Sequence, residues 1–217
     1  MESSKILDVT ETKPTTNPSR MARRAAANRE AIIDAAEELL AEGGLGAVTV
    51  EAVAERADVA IQTVYNRVGR RPEVLVAIAE RAVDENRSYM EPAFASDGTP
   101  LDRILAAAHA YVSFARDRPQ QFRLLNTPPG EPEALERIAD KVDEQIGKLA
   151  DILAAGVADG TFISTLDPSA AATAMWAMME GILALGWRTD RKVVEPESLR
   201  GLADFALATI LNGIRTR

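Results

Sequence analysis

Apolar residues along this chain recur at three- and four-residue spacing, in segments that stop at glycine or proline, and that pattern selects helices. The first such segment begins at Ala22, carries Ile32, Ile33, Ala36, Leu39 and Leu40 with Asp34, Glu37 and Glu38 between them, and ends at Gly43-Gly44. Nothing alternates apolar and polar residues long enough for a convincing strand; Val48–Val53 and Ile61–Val68 are short and suit helix equally well. Thr49 is a good N-cap for a short helix over Val50–Ala57, Asp58-Val59 makes a tight turn, and a second short helix follows from Ala60 to Val68. Two short helices across a tight turn read as helix-turn-helix.

Beyond Gly69, prolines open most of the expected helices. They run from Pro72 to about Tyr89, Leu101 to about Arg116, Pro119 to Leu125, Pro132 to about Asp159, Pro168 to Trp187, and Glu197 to about Arg215. The expected fold is all-α, with about nine helices: three in a helix-turn-helix unit over 20–72 and the rest in a helical unit over 73–217. Residues 1–19 show no apolar period and include Pro14 and Pro18, so a disordered tail is expected there.

Composition removes several kinds of chemistry. The 217 residues include no cysteine and one histidine, which excludes disulfides, thiolate zinc, iron–sulfur clusters and a cysteine nucleophile. No metal site, catalytic residue or cofactor is expected. The longest apolar run, Ala170–Met179, is too short to span a bilayer, and no secretory signal is visible, so a cytoplasmic, soluble protein is expected. The net charge of −8 argues against a uniformly basic coat. It is unevenly placed: residues 20–72 carry eight Arg against eight acids, whereas 73–217 carry fifteen basic against twenty-two acidic groups. Within 20–72, Arg20, Arg23, Arg24 and Arg29 come first and Arg67, Arg70 and Arg71 last, with the acids between. Any nucleic-acid contact must come from such local clusters.

With helical periodicity and Val64 pointing inward, Ile61 and Val68 fall near the same side, while Gln62 and Asn66 fall close to the opposite one. Thr63, Tyr65 and Arg67 flank that outward line, and no carboxylate shares it. Amides and Arg make bidentate contacts to base edges in the major groove, whereas hydroxyls, phenol and guanidinium suit phosphates. The same face also suits ordinary solvated side chains on a short helix.

The run from Val48 to Leu75, VTVEAVAERADVAIQTVYNRVGRRPEVL, preceded by the Ile32–Gly44 helix, resembles the DNA-binding region of the TetR family of transcriptional regulators. Val53-Ala54, Ala57-x-Val59 and Thr63-x-Tyr65 stand at that family's spacing, and the match covers about residues 28–77. The chain departs from the pattern at Asp58 (usually Gly), Ala60 (often Ser), Val68 (usually Phe) and Arg71 (usually Lys). Asp tolerates a left-handed turn and Arg keeps the charge. Asp58 near a phosphate would weaken affinity, and Val68 is a smaller core plug.

The resemblance implies a recognition helix bearing Gln62, Thr63, Tyr65, Asn66 and Arg67, with Gln62 and Asn66 reading bases and Thr63 and Tyr65 holding phosphate. It implies that Thr49 caps the preceding helix near a phosphate and that Arg71 approaches the DNA backbone. Arg20, Arg23 and Arg24 would form an arm along the minor groove or phosphates, or else a solvated charge run.

The expected C-terminal unit is a ligand-binding and dimerisation domain. Its 168–187 helix is apolar nearly all round and, with the 197–215 helix, would form half of a four-helix homodimer interface; a central core helix of a monomer is the alternative. Small residues Ala170, Ala171, Ala174, Gly181 and Ala184 would allow close approach. A cavity for a small apolar effector would be lined from Tyr89, Phe94, His109, Tyr111, Phe114, Phe122, Leu125, Met175, Trp176, Met179 and Trp187, although each singly suits plain core, and His109 better suits a satisfied polar residue. The leading reading is a ligand-responsive regulator of double-stranded operator DNA, most often a repressor by resemblance; the alternatives are a helix-turn-helix module for protein contact and an all-α carboxylate enzyme, for which the nearest thing to an acidic cluster, Asp140, Asp143 and Glu144, reads better as a solvated helix face.

Overall fold

In the computed structural model, residues 20–128, 132–188 and 194–216 are described, the side chains of 133 and 134 excepted. They form α1 (Arg20–Gly43), α2 (Val50–Arg56), α3 (Ile61–Arg67), α4 (Arg71–Phe94), α5 (Pro100–Asp117), α6 (Pro119–Asn126), α7 (Pro132–Ala158), α8 (Pro168–Ala184) and α9 (Pro196–Ile214). Among the described residues the extended pairing is one isolated bridge, Phe162 with Arg215, so the all-α expectation holds. The expected tail, 1–19, lies outside the described residues.

Local chemistry accounts for the boundaries. Thr49 caps α2, its side-chain oxygen accepting from the Ala52 N–H at 3.1 Å. Asp58 turns the chain toward α3 at φ 51°, a left-handed conformation that a short polar side chain tolerates. Thr99 and Asp102 form a reciprocal capping box on α5, and the Asp167 carboxylate accepts from the N–H groups of Ser169 and Ala170 at the start of α8.

Two ends differ from the sequence expectation. α4 continues past Tyr89 to Phe94 even though Pro92, inside its last turn, forgoes the bond that an N–H there would make to the Ser88 carbonyl. α8 stops at Ala184 rather than Trp187: the N–H groups of Leu185, Gly186 and Trp187 each bond the carbonyl three residues back, tightening and then ending the helix.

The core lies in three clusters. Ile32, Leu40, Val48, Val53, Val64, Val74 and Ile78 fasten α1–α4 together, with Leu124 and Ile138 added from α6 and α7. Ile104, Leu153, Phe162, Ala172, Leu207 and Leu211 join α5, α7, α8 and α9. Between them sits an aromatic cluster in which Phe122 meets Tyr111, Phe114 and Trp187 edge-on, at centroid distances of 5.5, 6.3 and 5.5 Å. Helix α4 belongs to both of the large clusters.

Ion pairs tie α4 to its neighbours. On the α1 side, Arg81 lies 2.6 Å from Glu30, 2.5 Å from Asp34 and 3.0 Å from Glu37. Burial pushes the Glu37 carboxyl above its usual range, against the hydrogen bond from Arg81. On the α7 side, Lys141 pairs with Asp84, Arg87 with Glu144 and Lys148 with Glu91. No helix among the described residues is long and apolar enough to cross a membrane.

Candidate nucleic-acid interface and ligand cavity

Helix α3 rests on the first core cluster through Val64, which is fully buried, and through part-buried Val68. Gln62, Tyr65, Asn66 and Arg67 are exposed on its other side, and Thr63 is half-buried at the flank. Ile61 departs from the wheel expectation: it is 43% exposed, since it opens the helix and lies beyond the reach of the core cluster. The Gln62 Nε2 donates to Asn66 Oδ1 at 3.1 Å, locking the two amides together one turn apart. That bond leaves Gln62 Oε1 to accept and Asn66 Nδ2 to donate outward, a donor and an acceptor side by side.

Arg71 has a different local task from the one implied by sequence. Its Nε donates to the Val48 carbonyl and one terminal nitrogen to the Leu45 carbonyl, both at 2.7 Å, so the guanidinium fixes the loop that presents Thr49. Arg20, Arg23 and Arg24 are exposed, but on the first turns of α1 rather than on an extended arm. The alanine-rich stretch that follows, Ala25–Ala27, favours helix and carries it back through them.

A cavity of about 600 Å³ lies among α4, α5, α7 and α8. Tyr111, Met175, Trp176 and Met179 line it, as do Phe94 and Leu125. His109 does not: it is exposed on the outer side of α5, 3.6 Å from Asp204 of α9. Phe114 and Phe122 also stay out of the lining, because both rings are consumed by the aromatic cluster and are almost fully buried there. Tyr89 and Trp187 pack on that same cluster.

The polar part of the lining escaped the sequence reading. Asn86 of α4, Gln145 of α7 and Glu180 of α8 all face the cavity. Asn86 interrupts the apolar stripe of Val83 and Met90, the one signal that marked it. Tyr111 donates its phenol proton to Glu180 at 3.3 Å. Burial, followed by the charge of Glu180, holds the Tyr111 phenol well above its usual range, and burial likewise raises Glu180. Asp140, Asp143 and Glu144 are exposed on α7, with Glu144 paired to Arg87.

A helix-turn-helix at one end and a cavity-bearing helical bundle at the other, joined through one shared helix, define the class. Residues 32–68 match the family described as bacterial regulatory proteins, tetR family, and residues 104–210 match the tetracyclin repressor-like C-terminal domain. The chain belongs to the TetR family of bacterial regulatory proteins. It is 36% identical over 76 residues to the HTH-type transcriptional repressor KstR of Mycolicibacterium smegmatis, an overlap of 35% of this chain and 37% of that one. A tetR-family regulatory protein from Rhodococcus RHA1 has the same fold, with TM-score 0.66 and 24% identity over 88% of this chain and 98% of the other. So does the transcriptional regulator FadR of Bacillus subtilis in complex with stearoyl-CoA, with TM-score 0.70 and 20% identity over 86% and 99%.

Proposed function

We propose that this TetR-family protein is a ligand-responsive transcriptional regulator, most simply a repressor, that binds a palindromic DNA operator as a homodimer and is released by a small, mainly apolar effector. The observation that carries this reading is the outward face of α3, polar, free of carboxylates and rigidly backed by Val64. In that role Gln62 and Asn66 read base edges from the major groove, while Thr63, Tyr65 and Arg67 hold phosphates. Thr49 sits at the capped start of α2, and Arg71 acts mainly by holding the loop before it. Arg20, Arg23 and Arg24 crowd positive charge at the positive end of the α1 dipole, an arrangement that a phosphate relieves. Unlike a protein-contact module, such a surface binds with steep salt dependence.

The working division is a DNA-binding unit over 20–72 and an effector and dimer unit over 73–217, with α4 packed in both. The cavity abuts α4 through Asn86 and Met90, and the same helix holds α1 through Arg81. An effector preferring one placement of α4 therefore shifts the spacing of the two recognition helices, and by linkage operator and effector weaken each other equally. Of the exposed carboxylates of α7, Asp140 and Glu144 lie outside the cavity wall and Asp143 only borders it, which favours regulation over catalysis. The KstR and FadR likenesses support repression and an acyl-type or other apolar ligand without fixing the ligand. The protein would act in the cytoplasm, where operator DNA lies.

Purified protein should protect a near-palindromic site with half-sites about one helical turn apart. Protection of a single half-site at saturation overturns the dimeric reading. Within that site, Asn66→Ala should change preference at one base pair per half-site by about 1–3 kcal/mol, whereas Tyr65→Phe should weaken every sequence alike. Selection from a randomised operator library separates these outcomes, and even losses from both variants would undo the base and phosphate assignments.

A further inference from the structure

The chemical class of the effector follows from the charge of the cavity wall, an inference that rests on this cavity being the effector site. Among the described residues that line it there is no Arg, Lys or His, whereas Asp143 and Glu180 both belong to the wall. Basic groups on the neighbouring helices lie outside the wall: Arg87 pairs with Glu144, Lys148 with Glu91, and Arg103 donates one nitrogen to the Phe94 carbonyl, its buried Nε being without a partner. An anionic head group inside this wall would meet the Glu180 carboxylate, with exposed Asp143 at the edge, and no basic partner.

Glu180 is the more telling of the two acids. It is half-buried in an apolar setting, with no ion pair among the described residues; its polar contact is the Tyr111 hydroxyl. Trp176 stands in the same wall as Tyr111 and Glu180. Tyr111 satisfies one lone pair, and the carboxylate keeps further acceptor capacity. Gln145 Oε1 is a second acceptor, buried and without a hydrogen-bond partner. The rings of Trp176 and Tyr111 belong to the same wall, and the faces of such rings attract cations. The wall also holds one buried donor without a partner, Asn86 Nδ2, so it is the Glu180 carboxylate that tips the balance toward a donor ligand.

We propose that the cavity binds a lipophilic cation, an apolar molecule ending in a protonated amine, whose ammonium group pairs with Glu180 beside Tyr111 and Trp176. The amine supplies donors to the remaining lone pairs of Glu180, and its charge compensates the half-buried carboxylate. The apolar body occupies the remainder, against Met90, Met175 and Met179, whose flexible side chains fit varied shapes.

A matched series tests this with the full-length protein: decylamine, decanol and decanoate, below their aggregation limits, measured by calorimetric titration at neutral pH. Decylamine should bind at least about tenfold more tightly than decanol, as charge-assisted hydrogen bonds require, with decanoate weakest. Glu180→Gln should erase that preference while decanol affinity, and helicity by circular dichroism, persist. If decanol or decanoate matches decylamine, or Glu180→Gln keeps the preference, the cation assignment falls while the effector cavity stands. If none of the three binds, the cavity reading itself fails and takes the cation with it.

Discussion

Replacing Gly181 with Lys is expected to give a helical monomer whose operator affinity is lower by about two to four orders of magnitude, the tethering gain of linked half-sites. Within one protomer the change is harmless: Gly181 is exposed, and a Cβ placed there meets nothing within 4 Å. Its surroundings are of another kind. Ala170, Ala174 and Ala177 continue the exposed small-residue stripe along α8, while α9 shows Leu202 and Phe205 to solvent at 42% and 72%. This exposed apolar face suits a second copy packed helix against helix, and in such an interface a lysine at 181 would bury an unpaired charge. Sedimentation, circular dichroism and a gel shift on one sample decide the matter. A Gly181→Lys protein that remains helical and fully dimeric places the interface elsewhere.

The helix-turn-helix was legible in the sequence because each of its parts answers to local chemistry. Thr49 caps, Asp58 takes the left-handed turn, and Val64 faces inward while Gln62 and Asn66 face out, all within a span that periodicity covers. Ile61 escaped, because a wheel gives direction but not the extent of the core beneath it. Prolines marked the starts of α5, α6, α7 and α8, whereas helix ends depended on hydrogen bonds that the sequence does not show, as at Leu185–Trp187.

The cavity was only half legible for a related reason. Large apolar side chains announce burial without saying whether they face a void or one another. Met175, Trp176 and Met179 face the void; Phe114 and Phe122 face other rings. The polar wall comes from three separate helices, Asn86 of α4, Gln145 of α7 and Glu180 of α8, and their meeting is a property of tertiary packing alone. His109 drew notice as a lone titratable group on an alanine-rich helix, yet its partner is Asp204 of α9, on the outer surface.

The distinction between void-facing and ring-facing aromatics has a direct consequence for stability. Phe122→Ala is expected to destabilise the protein by about 3–5 kcal/mol, the range for removing a buried aromatic ring. Phe122 is 1% exposed, and its ring touches three others from α5 and from the turn after α8, so its loss leaves a hole that none of them can collapse to fill without breaking its remaining edge contacts. For a chain of this size roughly 2–4 °C of melting temperature accompanies each kcal/mol, so the midpoint should fall by roughly 6–20 °C. Helix α3 belongs to a different cluster, anchored by Val64, and operator affinity measured well below the new midpoint should stay near the parent value. Thermal unfolding followed by a gel shift in the cold reads both effects. A small change in midpoint accompanied by lost effector affinity would return Phe122 to the cavity wall; a large fall in midpoint with operator binding intact fixes it as the pin that joins α5, α6 and the end of α8.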